Sequence, residues 1–199
     1  MDIPGVGTVK AASDGNLQAT AIAVGSFTAC AIRPDRTVAC WGLNDQGQLG
    51  NGTRDTSPNN KRTPELVPQE VSRLEGAIAV AVGGEYACAI ITAGRVKCWG
   101  SNQLGELGAG LPTGAGSFSA TPVDVVGVTG ATRITTGYSS ACVIVAGGRV
   151  KCWGSGDLGQ LGNGSTRDRN APVTVKGSAV PGKSPLGADS PVQSSQAAA

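Results

Sequence analysis

The chain contains no histidine. With it go the commonest general base, the commonest metal ligand and the side chain that changes charge near neutral pH. A serine nucleophile is left without its usual base, and no acidic pair is marked by spacing. No catalytic, cofactor or metal residue is therefore assigned, and the chain reads as a non-enzyme. Charge is scarce as well: charged residues are 15% of the chain, and 16 basic against 14 acidic side chains leave a net +2 with no basic stripe. Nucleic acid is a poor candidate partner, because phosphate binding relies on clustered Lys and Arg. No apolar run approaches the ~18–20 residues that a membrane-spanning helix needs. Helical periodicity is equally hard to find. The opening Met1-Asp2-Ile3-Pro4-Gly5 has neither the basic start nor the apolar core of a signal peptide.

Glycine, at 31 of 199 residues, is abundant, and six cysteines fall in regular pairs. The stretch Ala29 to Gly42, ACAIRPDRTVACWG, returns as ACAIITAGRVKCWG at Ala87 to Gly100 and as ACVIVAGGRVKCWG at Ala141 to Gly154. Each copy is followed by a second shared phrase: Gly47-Gln-Leu-Gly50, Gly105-Glu-Leu-Gly108 and Gly159-Gln-Leu-Gly162. The first cysteines stand at 30, 88 and 142, a period of 58 and then 54 residues. A period of that length belongs to solenoids, propellers and arrays.

Within each copy the cysteines are ten apart, with an apolar run on either side of a turn signal: Arg33-Pro34-Asp35-Arg36, Ala93-Gly94, and Ala146-Gly147-Gly148. Folding each stretch about its midpoint as a hairpin sets Cys30 opposite Cys40, Cys88 opposite Cys98 and Cys142 opposite Cys152. The aliphatic pairs Ile32/Val38, Ile90/Val96 and Ile144/Val150 share the cysteine face, because strand side chains alternate. On the other face Trp41, Trp99 and Trp153 each meet the smallest of partners, Ala29, Ala87 and Ala141, as a volume constraint in blade packing would require. Opposed antiparallel residues are close enough for a disulfide, so three cross-strand disulfides are expected. They imply an oxidising compartment, hence an extracellular or cell-surface location, with no signal peptide within this chain.

The remaining strands follow from the same repetition. Leu17 to Val24, Ala77 to Val82 and Ala131 to Thr136 each end at glycine and lead into a hairpin. A Pro-marked strand closes each unit, at Thr63 to Val67, Thr121 to Val126 and Ala171 to Val175. Proline suits an edge strand, where its missing N–H is not called on. The fold class expected is all-β: three four-stranded units over about 17–67, 77–126 and 131–176, forming propeller-type blades of an incomplete ring. Residues 1–16 supply a leading edge strand (Val6 to Lys10) and a turn, and 177–199 a flexible Ser/Pro/Ala/Gly tail.

This phrase pattern resembles the regulator-of-chromosome-condensation repeat, and in particular its cysteine-bearing form in bacterial exported proteins. The resemblance covers roughly residues 5–177. It implies a β-propeller with a four-stranded sheet as each blade, acting by protein contact. The sequence departs from the family where histidine often precedes the first cysteine by two residues; here Thr28, Tyr86 and Ser140 stand there. Three repeats also fall short of a ring of 4–8 blades. A homo-oligomer, or a part of a longer propeller, is expected to make up the difference.

Other motifs carry less. Gly177 to Ser184, GSAVPGKS, fits the phosphate-loop pattern around Lys183, but Pro185, Gly187 and Pro191 break the helix that pattern needs. Gly154 to Gly159 fits a dinucleotide fingerprint, yet the same slot varies freely in the other copies and reads as a repeat turn. Asn44, Asp45, Asn102, Gln103 and Asp157 lie in equivalent loops and are possible binding-loop residues; they lack the carboxylate density of a calcium site and read as solvated turn residues. Asn51-Gly-Thr53 and Asn163-Gly-Ser165 are glycosylation triplets that the repeat itself explains. The function expected is a non-catalytic exported scaffold whose blade-connecting loops bind a protein or glycan. The alternatives are a guanine-nucleotide exchange or regulatory factor for a small GTPase, and a repeat module of a larger cell-surface enzyme.

Overall fold

The computed structural model describes residues 15–56 and 63–177. The expected leading strand Val6 to Lys10, the phosphate-loop match at Lys183 and the tail beyond Gly177 lie outside the described residues. The described chain forms twelve strands in three antiparallel sheets of four. The first sheet holds β1 (Ala21–Val24), β2 (Thr28–Ile32), β3 (Val38–Gly42) and β4 (Glu65–Glu70) in that order. The second holds β5 (Ala77–Val82), β6 (Tyr86–Ile91), β7 (Arg95–Ser101) and β8 (Phe118–Asp124), and the third β9 (Ala131–Thr136), β10 (Ser140–Val145), β11 (Val150–Gly154) and β12 (Arg169–Thr174).

The hairpins have the register that the cysteine spacing predicts. Cys30 opposes Cys40, Ala29 opposes Trp41 and Ile32 opposes Val38, with the same pairs repeated in the second and third copies. Disulfides join Cys30 to Cys40, Cys88 to Cys98 and Cys142 to Cys152 across Cα distances of 4.1, 4.0 and 4.1 Å. The Pro-marked strands are sheet edges, but they begin or end elsewhere than expected. Pro122 and Pro172 lie inside β8 and β12 rather than at their starts. An edge strand leaves alternate N–H groups unpaired, so it tolerates proline at an interior position. A register shift beside Cys40, Cys98 and Cys152 further offsets these strands from their neighbours.

The sheets stack face on face as blades. The disulfide face of the first (Cys30, Ile32, Val38, Cys40) packs with Leu49, Val71 and Leu74 against Ala87, Ala89, Ile91 and Trp99 of the second. The disulfide face of the second (Cys88, Ile90, Val96, Cys98) packs in the same way against Ala141, Val143, Val145 and Trp153 of the third. The middle blade is thus covered on both sides, and every residue of β6 is buried. In the third blade β10 has buried Ala141, Val143 and Val145 on one face and more open Cys142 and Ile144 on the other. Among the described residues, that alternation marks a sheet covered on one side only. Of the two lysines on the tryptophan face, Lys97 pairs with Asp124 at 3.0 Å and Lys151 donates to the Gly127 carbonyl at 2.6 Å. Both charged heads reach the rim while their stems lie along the blade.

Candidate binding face and the turn that latches neighbouring blades

Antiparallel order puts the β1–β2 type turns and the long β3–β4 type loops at one end of all three sheets. The cysteine-hairpin turns and the blade-to-blade connections lie at the other. The five candidate loop residues are all at the long-loop end, but their side chains do not converge. Asn44 Oδ1 accepts the Leu49 N–H at 3.1 Å while its amide donates to the Thr53 carbonyl at 3.2 Å. Asn102 repeats this with Leu107 N–H at 3.2 Å and the Pro112 carbonyl at 2.9 Å. Both asparagines are buried, where solvated turn residues were expected, because each satisfies backbone groups on two sides of its own loop. The Asn-to-Leu spacing of five was in the sequence as the signal. The third copy has Gly156 in that place, and Asp168 Oδ1 accepts its N–H at 2.8 Å instead.

Asp45 and Asp157 serve the loop as well. Asp45 Oδ1 accepts from Gln48 Nε2 at 2.9 Å. Asp157 Oδ1 accepts from Gln160 Nε2 at 3.1 Å and Ser155 Oγ at 2.9 Å, and these two bonds hold its carboxyl below the usual range. Gln103 is partly buried, and its carbonyl accepts the Gly114 N–H at 3.0 Å. Asn51 Oδ1 and Asn163 Oδ1 accept the N–H two residues on, so a local turn accounts for both glycosylation triplets. Among the described residues no group of three or more metal-ligating side chains comes together.

What the long loops do build is a contact between blades. Trp99 Nε1 donates to the Gln48 carbonyl at 3.0 Å, and Trp153 Nε1 donates to the Glu106 carbonyl at 2.8 Å. The Gly-Gln/Glu-Leu-Gly turn of one copy therefore closes over the indole of the next. Its second glycine must be glycine on two counts. Gly50 and Gly108 have φ of +68° and +60°, and a Cβ would sit 2.7 and 2.8 Å from the indole Cδ1. The leucine between, Leu49 or Leu107, is fully buried beneath the turn. Neighbouring loops add main-chain bonds from Gly52 N–H to Ala120 O at 2.9 Å and from Gly110 N–H to Asn170 O at 2.7 Å. Two residues before Cys88, Tyr86 donates its hydroxyl to the Ser140 carbonyl at 2.6 Å, again bridging blades, and its burial pushes the phenol pKa up.

Two family models, each described as the regulator of chromosome condensation (RCC1) repeat, match this chain, one over residues 37–90 and 147–182 and the other over 19–48, 77–106 and 131–160. The second places its three copies on the three cysteine hairpins and ends at the start of the turn that follows each. The chain belongs to the RCC1 repeat family. Among RCC1-repeat relatives it is 30% identical over 158 residues to the human probable E3 ubiquitin-protein ligase HERC6, and 31% over 156 residues to human HERC3. These alignments take in 78% and 77% of the chain but only 15% and 14% of the relatives. In fold it is similar to Prp20p from Saccharomyces cerevisiae, described with its binding to Gsp1p and histones, at a TM-score of 0.72 and 20% identity over 83% of this chain and 40% of that one. Human WBSCR16 superposes at a TM-score of 0.66 and 20% identity, over 82% and 39% of the respective chains. The chain therefore spans well under half the length of these propellers, and they establish its fold as RCC1-type β-propeller blades.

One RCC1 turn differs from its siblings in charge. Glu106 stands where the other copies have Gln48 and Gln160, and its Oε2 accepts the Leu104 N–H at 2.8 Å as the glutamines accept from Gln46 and Leu158 at 2.7 and 2.9 Å. Burial, ahead of any other cause, pushes the Glu106 carboxyl pKa up. The folded protein therefore holds this proton to higher pH than the unfolded chain does. Stability contributed by the neutral acid falls as pH rises from the unfolded carboxyl range through the raised folded value. Glu106→Gln keeps the hydrogen bond without the charge. It is expected to raise the melting temperature at pH 7 by roughly 2–4 °C, what ~1 kcal/mol gives in a chain of this size, with the gain fading toward pH 4. Calorimetric melts of both proteins across that range check it; a lower melting temperature for the variant at pH 7 contradicts it.

Proposed function

We propose that the chain is a non-catalytic, exported scaffold that binds a protein through the long-loop end of its blades. The observation that carries this reading is where the exposed aromatic side chains among the described residues collect. Phe27, Leu104, Leu111, Phe118, Tyr138 and Leu158 all stand exposed at that end, Leu158 at 87% and Tyr138 at 66%. Exposed aromatic and aliphatic side chains grouped on one side of a molecule mark interaction surfaces. Among the described residues that end carries, besides the buried Glu106, six carboxylates and three arginines, against four carboxylates and nine basic side chains toward the hairpin-turn end. A polypeptide with apolar groups flanked by Lys or Arg fits it, since complementary charge steers and orients the encounter. Export is supported by the three hairpin disulfides, which an oxidising compartment maintains.

Photo-crosslinking in the cells that make the protein tests both halves. A photoreactive residue at Leu158 is expected to trap one discrete protein in the extracellular fraction, while the same group at Arg149, on the opposite end, traps none. Equal adducts at both positions, or none at Leu158, would overturn the face assignment. Acceleration of guanine-nucleotide release from a small GTPase by the purified chain would favour the exchange-factor reading instead. The reading as one module of a larger enzyme draws support from the HERC relatives, where the matching part is 14–15% of the whole. It predicts that Leu158 adducts form within a longer polypeptide.

A further inference from the structure

The two ends of the blade stack are unlike each other, and each has what the other is missing. Independently of the binding face above, we propose that the first blade of one copy seats on the third blade of a second copy, repeating the internal blade contact, and that two copies close head to tail.

Comparison between equivalent positions carries the argument. Val24 is 73% exposed, whereas its counterpart Val82 in the second blade is 8% exposed beneath the first. Trp41 is partly exposed, while Trp99 and Trp153 are 0% exposed under their turns, and among the described residues no acceptor meets the Trp41 indole N–H. Ala31 and Ala39 at the centre of the same face are buried, but Ile22 beside them is 64% exposed. The first blade thus offers an indole donor above which no turn of the described residues lies.

The third blade offers that turn. Gly159 to Gly162 has the conformation of its siblings: Gly162 has φ +60° like Gly108, Leu161 is fully buried like Leu49 and Leu107, and Gln160 Oε1 accepts the Leu158 N–H at 2.9 Å. The slot against the glycine holds no indole, and the nearest atom to a Cβ on Gly162 is Val175 Cγ1 at 2.8 Å. No donor among the described residues reaches the Gln160 carbonyl. On the same face Ile144 is 37% exposed, where Ile32 and Ile90 are 2% and 0%. In the proposed contact Trp41 Nε1 of one copy donates to the Gln160 carbonyl of the other, with Val24 and Ile22 against the Cys142–Cys152 face. Two such contacts in a pair are related by a two-fold axis and leave no end open, so growth stops.

Native mass spectrometry across a dilution series reads this directly on the whole chain. The expected species is a dimer that gives way to monomer on dilution, with Trp41 fluorescence moving to longer wavelength as it does so. Val24→Glu and, separately, Ile144→Glu place a charge on each open face and are expected to abolish the dimer at concentrations where the unaltered chain is fully paired. Both positions face solvent in one copy, so circular dichroism and the melting transition of each monomer should stay unchanged. Ile78→Glu, at a 52% exposed position of the middle blade, which takes no part in the proposed contact, should leave the dimer intact. A monomer at every concentration overturns the proposal, and if its Trp41 emission is already that of a buried indole, the chain's own terminal segments cover the face. A ladder of trimers and larger species, or a dimer that survives Val24→Glu, overturns it equally.

Discussion

Trp99→Ala is expected to destabilise the protein by about 3–5 kcal/mol, the usual cost of emptying a buried tryptophan site. The ring is fully buried between the first two blades, and its N–H satisfies the Gln48 carbonyl at 3.0 Å. Its loss opens a cavity, frees that carbonyl and removes the surface on which Leu49 and Gly50 rest. Against a total stability of roughly 5–15 kcal/mol, such a change brings the chain near its unfolding limit. Trp41→Ala, measured at a dilution where the chain is monomeric, removes a partly exposed ring with no turn above it and should cost well under half as much. Trp99→Phe separates the two contributions, retaining most of the volume and losing about 1 kcal/mol with the hydrogen bond. Denaturant titrations of the three variants give the comparison. Equal losses at Trp41 and Trp99 would mean that the turn of the preceding copy does nothing for the indole.

Reduction of the disulfides is the second large effect. Each bridge closes a hairpin with a sequence separation of 10, and constraint of the unfolded chain over so short a loop is worth a little under ~3 kcal/mol. The Cys88→Ala/Cys98→Ala double variant, in the middle blade, is expected to lose about that much. Full reduction removes three such constraints, roughly 8 kcal/mol at most, comparable with the whole stability of a domain. A protein with few charges and small side chains on its inner strands has little to replace them. The expected result is loss of the cooperative thermal transition, followed by circular dichroism, when a reductant is present. A melting temperature unmoved by complete reduction would contradict the structural role of the bridges. Peptide mapping without reduction should return three linked hairpins and no link between repeats.

The hairpins were legible because three constraints agreed at the same register: cysteines ten apart, a turn signal midway, and tryptophan always opposite alanine. All three pairings appear as read, down to Ile144 against Val150. The closing strands were less so. In the repeat phrase proline marks a strand start, but β8 runs from Phe118 with Pro122 inside it, since an edge position makes no demand on that missing N–H. The blade latch was not legible at all. Periodicity aligns each Gly-Gln/Glu-Leu-Gly phrase with its siblings and each tryptophan with its own. The bond that matters runs between the two classes, from Gln48 to Trp99 across a separation of 51 residues. A repeat pattern shows which positions are equivalent, and only the stacking of blades shows which inequivalent ones touch. The loop asparagines failed in the opposite sense, because polar residues in a polar loop read as solvated. Asn44 and Asn102 are buried there because unpaired backbone groups inside the loop require them.

Hydrogen exchange at the three indole N–H groups, resolved by NMR, tests most directly whether each turn locks the tryptophan of the next blade. The structure predicts that the Trp99 and Trp153 resonances exchange slowly at every protein concentration, and that the Trp41 resonance exchanges fast in the dilute monomer. Fast exchange at Trp99 or Trp153, at the rate of a free indole, would contradict it.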